Sequence, residues 1–283
     1  MRSIKKYLYS LLNRCNTAFY QKLPKHIYFF WYDGIDNAPE LIKINIDEWS
    51  KLNPEFQVTL VDKNIINQID LALSIDYTYI PIQALSDILR AYLLSTNGGI
   101  WVDCTVFPVK PLKKWLPQNM KTEFFAFHCH HAKDCLLSSW FLASTKDSEV
   151  MQNWYHETLR YWSQPKKLLM DPRLGDPYPQ NGYLEVSPDY ANNSGKFPYF
   201  WFHYLFTYLV NTNKRVATIW GKVPNISSTP LHELQCYLKT QDDLMSKEVL
   251  LIIKNKPMEK LDWRIDENKV KLFKNILTSR DDI

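Results

Sequence analysis

The chain has 283 residues, 46% of them hydrophobic and 23% charged, which fits a folded globular protein and excludes a disordered one. Only seven glycines are present, in no GxGxxG or GxxxxGK(S/T) run; this excludes the dinucleotide fingerprint and the P-loop. The net charge of +4 is uneven, because residues 1–25 carry six bases (Arg2, Lys5, Lys6, Arg14, Lys22, Lys25) and no acid, leaving −2 for the rest.

Within that basic stretch Ile4, Tyr7, Leu8, Leu11, Leu12, Cys15 and Phe19 recur at helical spacing. The pattern predicts a basic amphipathic helix over residues 1–24, ahead of one domain over residues 25–283. Such a helix suits an anionic membrane surface, and equally a terminal helix packed on the domain. No run reaches the roughly 18–20 apolar residues of a membrane span, and nothing at the N-terminus reads as a secretory signal. Five scattered cysteines, an odd number, favour a reducing compartment over a disulfide framework. The expected location is cytoplasmic, with peripheral contact at the inner face of the membrane.

Next comes "KHIYFFW" (25–31), a β-type run. Pro39 then opens a helix carrying Leu41, Ile42, Ile44, Ile46 and Trp49. "FQVTLVD" (56–62) reads as a second strand, so the chain begins β-α-β. That order predicts an α/β fold, a largely parallel sheet with helices on its faces. In "IPIQALSDILRAYLLSTNGG" the buried face is Leu85, Ile88, Leu89, Tyr92 and Leu93, and Gly98 caps the helix end. "IWVD" (100–103) follows as a buried strand ending in a carboxylate. Further strands are predicted at 123–128 and 139–144, and helices from about Ser148 to Trp162 and from near Pro198. A β-type run is expected at "VLLIIK" (249–254). Residues 164–196, rich in Pro, Gly, Asp and Asn, form a long connection of the functional kind.

Ligands of open α/β sheets sit beyond the carboxyl ends of the strands, which is where Asp103 falls. Asp87 and Arg90, spaced i and i+3, share a helix face. They make either an ordinary helical ion pair or a pair suited to sugar hydroxyls, which both donate and accept hydrogen bonds. Asp62, at the end of a strand, either reaches a ligand or caps the next helix. "HCHHAKDC" (128–135) gathers His and Cys without the spacing of a zinc site. The aromatic residues from Tyr199 to Phe206 read mostly as core.

The stretch "IPIQALSDILRAYLLSTNGGIWVDCTVF" resembles the core of the capsular polysaccharide synthesis proteins, which are similar to the family 32 glycosyltransferases and, more distantly, to the large clostridial glucosylating toxins. The pattern is Ser-Asp-x-x-Arg followed by Gly-Gly-Ile-aromatic-x-Asp, matched here at Ser86, Asp87, Arg90, Gly98, Gly99, Ile100, Trp101 and Asp103. "HIYFFWYDG", "YFWFHYLF" and "KPMEKLDW" are weaker echoes that extend the likeness over residues 25–263.

The resemblance implies a GT-A fold, a Rossmann-like mixed sheet with flanking helices, and a retaining glycosyltransferase that takes its sugar from a nucleoside diphosphate. The acceptor would be a lipid-linked or free oligosaccharide of a surface glycan, and no nucleic acid is expected as partner. By position, Asp87, Arg90 and Asp103 would be the catalytic set. Trp31 would flank the base, Gly99 would line the donor site, and Lys260 would meet the diphosphate. A manganese or magnesium ion is implied, with Asp103, Thr105 and His203 as ligands. Thr105 stands where the pattern usually has a second Asp, and this departure puts the metal shell in question.

Overall fold

The computed structural model describes residues 17–130, 134–177, 182–241 and 244–278. The expected helix at the N-terminus lies largely in residues 1–16, outside the described residues; the first described element is a short helix, Ala18–Gln21. The main elements are β1 (His26–Phe30), α1 (Glu40–Leu52), β2 (Gln57–Val61), α2 (Ile82–Asn97), β3 (Gly99–Val102), β4 (Val106–Pro108), β5 (Phe124–His128), β6 (Leu137–Ser144) and α3 (Glu149–Tyr161). After these come β7 (Lys167–Met170), β8 (Lys196–Pro198), α4 (Trp201–Thr212), α5 (Glu233–Thr240), α6 (Ser246–Ile253), β9 (Met258–Lys260) and α7 (Glu267–Thr278). The five-stranded sheet has the order β2-β1-β3-β6-β5. β1 and β2 run parallel, whereas β5 and β6 are antiparallel. The expected α/β fold with a mixed sheet and flanking helices is therefore what the chain adopts.

The chain groups into two compact units, each made of three separate stretches of sequence. One comprises Met1–Pro24, Asn67–Trp101 and Pro117–Ser227; the other comprises Lys25–Ile66, Val102–Leu116 and Ser228–Ile283.

In the first unit α2 starts after Pro81 and ends at Gly98. Gly98 has φ +66°, and a Cβ there would lie 2.6 Å from the Lys146 backbone nitrogen. Only glycine fits this turn, which leads straight from α2 into β3. α3 is capped by Ser148, whose Oγ accepts from the Met151 N–H at 3.3 Å. The aromatics of α4 are core, as expected: Trp201, Phe202, Tyr204 and Phe206 are buried. Phe202 stacks on Trp154 at 4.0 Å, and Trp201 stacks on Tyr161 at 4.9 Å.

In the second unit a separate apolar core joins α1 to α5, α6 and α7 through Leu41, Leu234, Val249, Ile253, Val270 and Phe273. The run at 249–254, expected to be β-type, is helical within α6. Its buried positions, Val249 and Ile253, are four apart, so one helix face serves the core. A continuous apolar run is compatible with either structure, and this one has no strand partner among the described residues.

Glu259 is fully buried beside this core. It pairs with Lys256 at 2.6 Å and accepts the Leu234 N–H at 3.2 Å. Loss of hydration outweighs these partners and pushes its carboxyl up from 4.5 to about 7. Folding therefore takes up a proton between those two values. This contribution to stability is fully present below pH 4.5 and is lost as pH rises through about 7. Glu259→Gln is expected to flatten the fall in Tm across that interval, as followed by thermal melts from pH 4 to 8; an unchanged slope would contradict the assignment.

Candidate functional site

In the second unit the chain leaves β3 through a turn, residues 103–106, closed by the Val106 N–H donating to the Asp103 carbonyl at 2.9 Å. α1 pins this turn from behind. The buried Asn45 amide donates to the Cys104 carbonyl at 2.7 Å, and the Trp49 indole donates to the Val106 carbonyl at 2.8 Å. The Cys104 thiol donates to the Phe30 carbonyl at 3.1 Å, and burial pushes its pKa far up. It is a neutral packing group rather than a nucleophile. The helix that packs the core thus also holds the loop bearing Asp103 and Thr105.

β9 completes the arrangement. It pairs antiparallel with β4 so that Lys260 stands opposite Val106, and the Leu261 N–H donates to the Thr105 carbonyl at 2.8 Å. The Lys260 ammonium then donates to the Thr105 hydroxyl at 2.5 Å and to the Leu261 carbonyl at 3.2 Å. Two sequence-predicted residues 155 positions apart are thus in direct contact. Trp31, just after β1, meets Trp263 edge to face with centroids 6.1 Å apart. Trp263 is exposed and carries the Arg264 guanidinium over its ring at 4.6 Å. Asp62 takes the ordinary one of its two expected roles. It accepts the Asn64 and Ile65 N–H groups at 2.9 and 3.0 Å and caps a short helix.

In the first unit Asp87 and Arg90 form the expected i, i+3 pair at 3.3 Å, with side chains 13% and 6% exposed. The Arg90 guanidinium also donates to the Ser139 carbonyl at 2.7 Å and to the Ser139 hydroxyl at 2.6 Å. Its other arm reaches the Ser86 hydroxyl at 3.3 Å, and it lies over the Trp101 and Phe202 rings. Ser139 in turn bonds His203 Nε2 at 3.1 Å. Arg90 is therefore a buried clamp that gathers Ser86, Asp87 and Ser139. Reading the sequence alone missed Ser139 and Trp263. A serine at the start of an apolar strand carries no signal of its own, whereas Trp263 stands in the "KPMEKLDW" stretch that shares in the family likeness. The backbone at Gly99 has φ +102°, so this expected donor-lining position also depends on glycine.

The expected metal ligands fit this geometry poorly. The Thr105 hydroxyl already bears the lysine ammonium, and a cation at that oxygen opposes a second, divalent one. His203 Nε2 is engaged with Ser139. Among the described residues no three His, Cys, Asp or Glu side chains gather. The Thr105 hydroxyl and His203 Nε2 are thus each already bonded within the protein. The described part of the 128–135 cluster makes no such gathering either; there His128 stacks on Trp220 at 4.3 Å.

A model of the family described as capsular polysaccharide synthesis protein matches residues 1–171 and 185–279. The chain belongs to that family. Two curated relatives are shorter matches. HOC1 of Saccharomyces cerevisiae, which has glycosyltransferase in its name, is 26% identical over 135 residues, 42% of this chain and 32% of that protein. The O-glycosyltransferase braB of Annulohypoxylon truncatum is 28% identical over 97 residues, 29% of this chain and 23% of its own. The aligned stretch thus spans a third or less of each relative's length. A solved structure, the PaToxG glycosyltransferase, aligns over 89% of this chain and 92% of its own at 15% identity, with a TM-score of 0.37. No helix among the described residues is long and apolar enough to cross a membrane.

Proposed function

We propose that this family member is a glycosyltransferase of the GT-A kind. It moves a sugar from a nucleoside diphosphate to a capsular or similar surface glycan, with retention at the anomeric carbon. The observation that carries the reading is the Lys260 ammonium held on Thr105, two residues beyond the Asp103 carboxylate, at the carboxyl end of a sheet strand.

Glycosyl transfer breaks the bond between the anomeric carbon and a phosphate oxygen, and the electron pair leaves with the diphosphate. The charge then concentrates on phosphate, and a fixed ammonium offsets it as it grows. Lys260 is that group. Its hydrogen bonds to the Thr105 hydroxyl and the Leu261 carbonyl hold it in place before the reaction begins. Asp103 accepts from ribose hydroxyls, and Trp31 and Trp263 flank the base. Asp87 accepts from hydroxyls of the donor sugar, oriented by Arg90, which acts as a positioning residue. Gly99 keeps the backbone low where the donor passes. The anomeric centre gains oxocarbenium character. The acceptor hydroxyl attacks it on the face the phosphate leaves, and its proton passes to the departing phosphate oxygen, so no protein nucleophile is required. Residues 164–196 serve as the acceptor lid, and the work is done at the cytoplasmic face of the membrane on a lipid-linked or free oligosaccharide.

Calorimetric titration with UDP and GDP tests the reading. One diphosphate is expected to bind, and more weakly to Lys260→Met. Absence of binding by both would leave the fold with another use.

A further inference from the structure

The second unit carries a feature that sugar transfer does not use. Between the loop after β4 and the outer face of α6 lies a cavity of about 670 Å³, within the range of sites that hold small ligands. Its floor and walls are apolar: Val109, Leu250, Leu251 and Ile253. Leu251 is 60% exposed although it sits in the middle of a helix, so its side chain is turned towards solvent rather than the core. The rim has one sign of charge, with Lys110, Lys247 and Lys254 around the opening.

Helical spacing explains the grouping. Positions 247, 250, 251 and 254 recur at i, i+3, i+4 and i+7 and so share one face, while Val249 and Ile253 serve the core. The one acid of the helix, Glu248, is turned elsewhere and bonds the Tyr237 hydroxyl. The loop adds bases without acids, since "KPLKK" (110–114) holds three lysines.

An apolar trough under a ring of ammonium groups fits an amphiphile with a hydrocarbon chain and an anionic head. We propose that this face of α6 docks on an anionic phospholipid bilayer, with one acyl chain lying along Leu250 and Leu251 and the phosphate held by Lys110, Lys247 and Lys254. Like charge argues against the other occupants. A second copy would bring the same three lysines into opposition, and residues 1–16 hold four bases and no acid. The proposal is independent of the sugar-transfer reading and is tested without activity.

The experiment is cosedimentation of the full chain with vesicles of phosphatidylcholine alone and of phosphatidylcholine mixed with phosphatidylglycerol. Wild type is expected to bind the mixed vesicles, and to lose affinity as salt is raised. The Lys110→Ala/Lys247→Ala/Lys254→Ala variant should bind about a hundredfold more weakly at low salt, roughly fivefold for each lysine. Leu251→Ser should weaken binding while leaving its salt dependence unchanged. These side chains line an open rim, so melting temperatures should match wild type. If the triple variant misfolds, Lys247→Ala alone should still show the fivefold loss. No binding of wild type to either vesicle would overturn the proposal. So would a triple variant that binds like wild type while Arg2→Ala/Lys5→Ala/Lys6→Ala/Arg14→Ala does not, or a dimer that dissociates on Leu251→Ser.

Discussion

Replacing Lys260 by Met is expected to lower kcat for donor turnover by about 10²–10³-fold, the usual cost of removing one preorganised group that faces developing negative charge. Met keeps most of the volume of the lysine stem, and β9 remains paired with β4 through backbone bonds, so Tm should shift little. KM should move less than kcat, because the charge on the diphosphate grows mainly in the transition state. Thr105→Val gives the companion result. It deletes the hydroxyl that accepts from Lys260 and frees the ammonium to wander, so a smaller loss, about tenfold, is expected by comparison with the direct deletion. Thr105→Ser should restore most of it. Steady-state kinetics of the three variants on one donor, beside their thermal melts, would separate this role from a structural one. A Lys260→Met protein with wild-type kcat would remove the residue from the mechanism.

The second large effect is on stability. Asp87→Ala leaves the Arg90 guanidinium buried without its carboxylate, and breaking one side of a buried pair costs about 3–5 kcal/mol. The bonds from Arg90 to Ser139 and Ser86 persist, so the lower end of that range is expected. With Tm falling about 2–4 °C per kcal/mol in domains of comparable size, the drop should be about 6–12 °C. Arg90→Lys should not rescue the fold, because an ammonium cannot make the forked contacts that a guanidinium makes to Ser139 and Ser86 together. Asp87→Asn is the variant that separates the two roles of the aspartate. It keeps the shape and one acceptor oxygen, so it should melt much closer to wild type while still weakening donor turnover. If Asp87→Asn turned over donor normally, Asp87 would be a structural partner of Arg90 and nothing more.

The two clusters were legible in the sequence to different degrees. Asp87 and Arg90 share a helix face by spacing alone, and Asp103 was placed at a strand end by the glycine pair before it. Nothing in the spacing of Thr105 and Lys260 brings them together; their contact exists because β9 returns to pair with β4. Ser139 was silent for a similar reason: its partner, Arg90, comes from a helix 49 positions away. The resemblance supplied Lys260 as a site residue, but not its hydroxyl partner, nor the consequence that the ammonium takes up the oxygen expected to serve a metal.

For the fold, periodicity worked where an element shows one face to solvent, as in α1, α2 and α3. It failed at 249–254, where five apolar residues in succession mask which face is inside. There the decision lay with the core formed by α5, α6 and α7. The sheet's mixed character follows from the antiparallel β5–β6 pair, whose strands are buried along nearly their whole length and so lack the alternation that a half-exposed hairpin shows.

Transfer from a nucleoside-diphosphate sugar is tested most directly by a donor turnover screen. UDP- and GDP-sugars would be incubated with wild type and Asp103→Ala, with and without manganese, and release of the free diphosphate followed. Turnover of one donor by wild type, abolished in Asp103→Ala, is the predicted result. Equal release by both proteins, or by neither over the whole panel in the presence of an oligosaccharide acceptor, would contradict it.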